Sequence, residues 1–133
     1  MRSLFLFLSL FAVVLVACSG QASPSAPSGD LAARATEQYI TALVEKNADR
    51  LSALSCAAWE TDALMELDSF QAVQTRVEGL ACRTVSTEGD TSIVQCQGKI
   101  VATYGNEDQS LDLSVRSYQV VKQGSDYLVC GYR

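Results

Sequence analysis

Apolar positions follow a period of about 3.6 residues up to residue 80 and a period of two after it, and an unbroken apolar run precedes both. In the helical part, Asp30 is placed to cap a helix starting at Leu31, its carboxylate accepting from free first-turn amides. Through ARATEQYITALVEKNADRLSALS the pairs Thr36/Ile40, Tyr39/Leu43 and Ile40/Val44 recur four apart and form one stripe. Asn47 tolerates the left-handed conformation that ends helices, so the helix is expected to break there. Asp49 restarts a short one carrying Leu51 and Leu54. A third helical region is expected through TDALMELDSFQAVQTRVEGL, divided near Asp68 or Ser69; Phe70, Val73 and Val77 would share a face and Gly79 would end it.

From Ala81 the alternation predicts four strands, Cys82–Thr87, Ser92–Tyr104, Leu111–Val121 and Tyr127–Tyr132. Turn signals at Glu88–Asp90, Gly105–Asp108 and Gln123–Asp126 join them into an antiparallel meander. Its inner face would carry Val94, Cys96, Gly98, Ile100, Ala102 and Tyr104, then Leu111, Leu113, Val115 and Ser117, then Leu128, Cys130 and Tyr132. Gln95, Gln97, Lys99, Asp112, Ser114 and Arg116 would face water. Helices packed on one face of a curved four-stranded antiparallel sheet make an α+β fold.

The apolar run Leu4–Ala17, LFLFLSLFAVVLVA, holds 14 residues and no charge, and follows Arg2. A spanning helix needs about 20 apolar residues. A charged start, a short apolar core and small residues at its end describe an export signal over residues 1–17. Leu15-Val16-Ala17-Cys18 resembles the lipobox of bacterial lipoproteins, in which the thiol takes a diacylglycerol and the chain is cut before it. The resemblance implies that Cys18 is a lipid attachment site, with fatty acyl (palmitate-type) chains. At about 0.8 kcal/mol per buried CH₂, two or three such chains hold a protein on a membrane essentially permanently. Ser19 rather than aspartate beside the cysteine implies, by the same resemblance, the outer membrane where the host has one and the cell membrane otherwise, with the domain in the periplasm or at the cell surface.

Removal of residues 1–17 leaves 116 residues and takes the formal charge from −5 to −6. That balance disfavours nucleic acid and anionic lipid surfaces, which need concentrated Lys and Arg. Residues 18–29 are rich in Ser, Ala, Pro and Gly and read as a flexible tether reaching about 20 Å; residues 30–133 suffice for one domain.

Cys56, Cys82, Cys96 and Cys130 remain. An even number in a small exported domain reads as two disulfides with three possible connectivities. The absence of any C-x-x-C pair sets aside a four-thiolate metal site, and no metal or cofactor is expected. A hairpin turning at Gly89 places Cys82 opposite Cys96, which leaves Cys56 for Cys130; a one-residue slip would turn Cys82 to the other face.

There is no histidine, which removes Ser-His-Asp and Cys-His catalysis and the commonest general base. Ser117 and Thr103 have no adjacent base, so no nucleophile is assigned. Asn106-Glu107-Asp108 lacks the spacing of a calcium loop and reads as a solvated turn. Tyr39, Trp59 and Tyr104 are the candidate cavity residues: with Glu60 they could bind a small apolar ligand, or they could be core aromatics whose polar tips find partners.

The order of helix pair, further helix and bent meander resembles the nuclear transport factor 2-like fold of the cystatin-like superfamily. ATEQYITALVEKNADRLSALS is similar to its opening helices and YQVVKQGSDYLVCGYR to its final hairpin. Groups of bacterial lipoproteins combine such a domain with a lipobox and a short tether. The resemblance implies a cone of sheet closed by helices, often with an apolar cavity. Ketosteroid isomerase and dehydratase members use cavity carboxylates, histidines and tyrosines, and no residue here matches those motifs. Three functions are therefore expected in order: an anchored, non-enzymatic domain binding a small ligand or an envelope protein; an isomerase- or dehydratase-type enzyme; a structural or oligomerising module.

If Cys18 is the attachment site, the exported chain incorporates a fatty-acid label and Cys18→Ala abolishes it. Undiminished labelling of that variant would refute the assignment.

Overall fold

The computed structural model describes residues 29–133; the expected signal, Cys18 and most of the tether lie outside them. Three helices, α1 (Leu31–Val44), α2 (Ala48–Ala53) and α3 (Glu60–Ser69), precede five strands. These are β1 (Gln74–Glu88), β2 (Thr91–Tyr104), β3 (Glu107–Asp112), β4 (Ser117–Gln123) and β5 (Asp126–Tyr132). The sheet is antiparallel in the order β1-β2-β4-β5, and β3 pairs with the far end of β2.

Asp30 caps α1, its Oδ1 accepting from Ala33 N at 3.0 Å. The stripe Thr36, Tyr39, Ile40, Leu43 and Val44 is buried against the sheet. The first break differs from expectation. Lys46 takes the left-handed conformation, at φ +57°, and its ammonium donates to Val73 O. Asn47 instead caps α2, accepting from Arg50 N at 3.0 Å. A short polar side chain serves either end of a turn, so the residue type marks the break and not its side.

The expected third helix is half helix and half strand. It ends at Ser69, and Gln74–Leu80 belong to β1. Thr75 and Val77 are β-branched and every second residue from Thr75 to Val77 is half-buried, so the stretch suits a pleated surface better than a helix.

The β1–β2 register carries its own correction device. Next to the turn Glu88 faces Thr91 and Thr87 faces Ser92. Continued unchanged, that pairing would set Cys82 opposite Gln97. An extra residue between Thr84 and Ser86 shifts it by one, so Cys82 faces Cys96 and the two are joined, Cα to Cα 4.0 Å. Val85, the bulged residue, is 41% exposed. A second irregularity between Glu78 and Ala81 brings Gly79 against Gly98, whose φ is +99°.

The single strand expected over Leu111–Val121 is two strands, which makes five rather than four. A 3-10 turn at Leu113–Val115 divides it, with Asp112 accepting from Ser114 N at 2.8 Å. Lys99 of β2 faces Asp112, but Gln95 faces Ser117, so one more residue lies on the β3–β4 side than on β2. That residue inverts the alternation. Val115 is 71% exposed, and Tyr118 and Val120 point into the core instead of Ser117. A bulge opposite Tyr118 and Val120 likewise makes Val129, not Leu128, the inward residue of β5.

The outer edge of β5 is occupied by the α2–α3 connection. Cys56 N donates to Val129 O at 2.9 Å and Val129 N to Leu54 O at 2.8 Å, and Cys56 is bonded to Cys130 beside them. Loop closure by the two bridges contributes roughly 3 and 4 kcal/mol on a chain-entropy account.

A methyl group at Gly98 would stand 2.4 Å from the Glu78 carbonyl and 2.6 Å from that of Gly79, in a conformation that L side chains rarely adopt. Gly98→Ala is expected to cost about 3 kcal/mol or more in chemical denaturation. A loss below about 0.5 kcal/mol would show that the β1–β2 contact yields freely.

Candidate functional site

Four aromatic side chains close a ring between the helices and the last strands. Tyr39 comes from α1 and is 1% exposed; Trp59 precedes α3 and donates from Nε1 to Tyr39 Oη at 2.9 Å. Tyr39 meets Tyr118 of β4 edge-on at 6.4 Å, Tyr118 meets Tyr132 of β5 at 5.6 Å, and Tyr132 meets Trp59 at 5.5 Å. Trp59 lies over Gly131 of β5, whose φ of +125° is a conformation that L side chains rarely adopt.

One ion pair seals the rim of this ring. Arg116 Nη1 donates to Glu66 Oε1 at 2.8 Å, with both side chains largely buried, and the guanidinium carbon stacks 3.9 Å over the Tyr132 ring. Tyr132 Oη donates to the same Glu66 oxygen at 3.2 Å. Glu66 Oε2 and Tyr118 Oη are buried without a hydrogen-bond partner. Tyr118 lies close enough to the Arg116 guanidinium for each to act on the other's charge.

Burial pushes the Tyr118 phenol up to about 12, with the positive Arg116 pulling it back. Burial raises Tyr39 further still, the Trp59 hydrogen bond opposing, and raises Tyr132, where the Glu66 charge adds to it. Burial alone would make Arg116 less basic, but its hydrogen bond to Glu66 and the carboxylate charge reverse that. These phenols hold their protons tightly and the carboxylate is neutralised by an arginine. The arrangement suits fixed recognition or packing better than proton transfer.

The sequence pointed to Tyr39, Trp59 and Tyr104, and the structure unites the first two only. Tyr104 is 45% exposed at the end of β2, beside the turn to β3. Glu66, Arg116 and Tyr118 were not among the expected site residues. Glu66 looks like an ordinary helix-surface acid. Arg116 was placed in water, and Tyr118 on the wrong face, by the alternation that the 3-10 turn inverts. Tyr132 was placed inward, as found.

No family model matches the chain, and no curated protein matches it by sequence. Solved structures do match. A candidate ketosteroid isomerase from Shewanella frigidimarina superposes with a TM-score of 0.56 at 11% identity, over 81% of this chain and 97% of that one. A nuclear transport factor 2-like protein with a cystatin-like fold from Novosphingobium aromaticivorans gives 0.54 at 11%, over 75% of each chain. The fold is nuclear transport factor 2-like. A further match, Bd1075 of Bdellovibrio bacteriovorus, gives 0.54 at 7% identity over 75% of this chain; this chain spans 38% of that protein's length.

In this nuclear transport factor 2-like domain the space between helices and sheet is filled. Tyr39, Tyr118, Ile40, Leu43, Leu51, Leu67, Ile100 and Leu113 are all at most 1% exposed. Clefts open elsewhere. One of about 500 Å³ lies where α1 begins, between Asp30, Thr84, Asp90 and Lys122, and a groove of about 580 Å³ passes over Gly79 and Gly98. Neither is lined by a residue of the aromatic ring or by Glu66.

A phenol raised by folding stabilises the fold fully below its unfolded value of about 10, and that contribution is lost as pH rises through the folded value. For Tyr118 the window therefore runs from about 10 to about 12. In an alkaline ultraviolet titration, Tyr118 and Tyr39 should ionise only together with loss of the fold. Ionisation of every tyrosine by about pH 11 with near-ultraviolet circular dichroism unchanged would contradict their burial.

Proposed function

We propose that the chain is a lipid-anchored cell-envelope protein whose one disulfide-stapled domain acts by binding and not by catalysis. The LVAC seam and the polar segment after it support the anchor. Two disulfides in so small a domain are compatible with export to an oxidising compartment. The observation that carries the binding reading is the state of the largely buried Glu66 carboxylate. Glu66 is held by Arg116 and Tyr132 on one oxygen, so the group a catalyst of this fold would free as a base is committed to a salt bridge. Because the interior is filled by Tyr39, Tyr118 and their neighbours, the ligand or envelope protein is met at the outer clefts and rims.

A second reading rests on Glu66 Oε2, buried beside the tyrosines with no partner. An enzyme of the isomerase class, the description carried by the Shewanella neighbour, would use that oxygen on a small ketone after displacing Arg116.

Native mass spectrometry of residues 29–133, exported to an oxidising compartment and purified without detergent, separates the two. The proposal expects an oxidised chain four hydrogens lighter than the reduced one, with any small molecule it retains held equally before and after Glu66→Gln. A ligand retained by the native domain and lost on Glu66→Gln would replace the proposal with the second reading.

A further inference from the structure

β1 stands at the end of the sheet and pairs only with β2, which exposes a row of outward backbone groups. The direction of those groups is fixed by the register. Cys82 and Cys96 form a narrow pair, with Cα atoms 4.0 Å apart, the spacing at which residues of an antiparallel ladder do not hydrogen-bond each other. The amide of Cys82 therefore points away from β2, and so does that of Thr84, two residues on and opposite Val94. Bulges between Glu78 and Ala81 and between Thr84 and Ser86 bracket a straight stretch from Ala81 to Thr84. Such an edge is a template on which another strand can add.

Both outward amides are already taken, each by a carboxylate of α1. Cys82 N donates to Glu37 Oε1 at 2.9 Å and Thr84 N to Asp30 Oδ2 at 2.8 Å. Thr84 Oγ1 adds a bond to Asp30 Oδ1 at 2.6 Å, the oxygen that also caps the helix through Ala33 N. Asp30 and Glu37 stand seven residues apart, two helical turns, so they lie on one side of α1, and their side chains converge on amides two residues apart on the strand. The two remaining sheet ends are closed by other means. Leu54 and Cys56 pair with Val129 of β5, and β3 carries Glu107, Asp108 and Asp112 along an exposed strand.

We infer that Asp30 and Glu37 are edge guards: by occupying the Cys82 and Thr84 amides they keep β1 from pairing with β1 of a second copy of this chain. A second copy is the occupant the geometry selects. Two identical antiparallel edges meet about a two-fold axis, with each outward amide facing an outward carbonyl of the other. An anchor of the kind proposed above would raise the local concentration of such edges at a membrane, which makes a guard useful, though the geometry holds without it.

The test uses residues 29–133, which contain the whole core and both bridges, compared as native, Glu37→Ala and Glu37→Gln proteins by sedimentation and amide hydrogen exchange. Alanine cannot reach the strand, while the glutamine amide oxygen still accepts. In the native protein the Cys82 and Thr84 amides should exchange at least about 100-fold more slowly than freely exposed edge amides. Glu37→Ala should lose that protection at Cys82 in dilute solution, form a reversible dimer as concentration rises, and regain protection at Cys82 in the dimer. Glu37→Gln should stay monomeric. A folded Glu37→Ala protein that remains monomeric at millimolar concentration overturns the inference, and so does unprotected exchange at Cys82 and Thr84 in the native chain. If Glu37→Ala does not fold, Glu37→Ser, equally too short to reach the amide, is read by the same criteria.

Discussion

The register of β1 on β2 is the constraint from which the other features follow. Cys82 reaches Cys96 only because Val85 is expelled from the ladder, and once the two are joined the strands cannot slide. The same register turns the Cys82 and Thr84 amides outward, where Asp30 and Glu37 of α1 meet them. A second irregularity, between Glu78 and Ala81, brings Gly98 against Gly79, where the backbones approach too closely for a side chain at Gly98. A disulfide and a helix dock are thus two consequences of one bulge, and the glycine contact belongs to the other.

Periodicity in the sequence was sufficient for the classes of element but not for their phase. The cap at Asp30, the stripe from Thr36 to Val44 and the strand through Val94, Cys96 and Ile100 follow from spacing alone, because each lies within one uninterrupted element. Errors of face entered at the residues inserted before β4 and within β5. The 3-10 turn at Leu113–Val115 contains no Gly or Pro to announce it, so alternation carried across it inverts the faces of Val115 to Val120. Gln74–Leu80 was read as helix because Phe70, Val73 and Val77 fit a helical period as well as they fit a turn followed by a strand.

The same phase error hid most of the candidate site. Tyr39 and Trp59 could be found because a long helix and a cysteine fixed their surroundings. Tyr118 lay on the discarded face, and Tyr104 was kept on the inner face although β2 runs out past the core there, to a residue nearly half exposed. Glu66 and Arg116 are 50 residues apart and only tertiary structure brings them within 2.8 Å. No local pattern encodes such a pair, whose largely buried charges are tolerated because each has the other.

That pairing also limits what the fold can be used for. A buried carboxylate becomes a base when its charge is uncompensated and its surroundings favour the proton. Here the Arg116 guanidinium compensates the Glu66 charge, and the phenols around the pair are less acidic than free ones. Nothing in the comparison with the Shewanella protein alters this, since the likeness at 11% identity is one of backbone course. Within a common frame, chemistry is decided by whether the interior carboxylate faces a substrate or a cation. In this chain it faces Arg116, and Tyr39 and Tyr118 are buried in the core beside that pair.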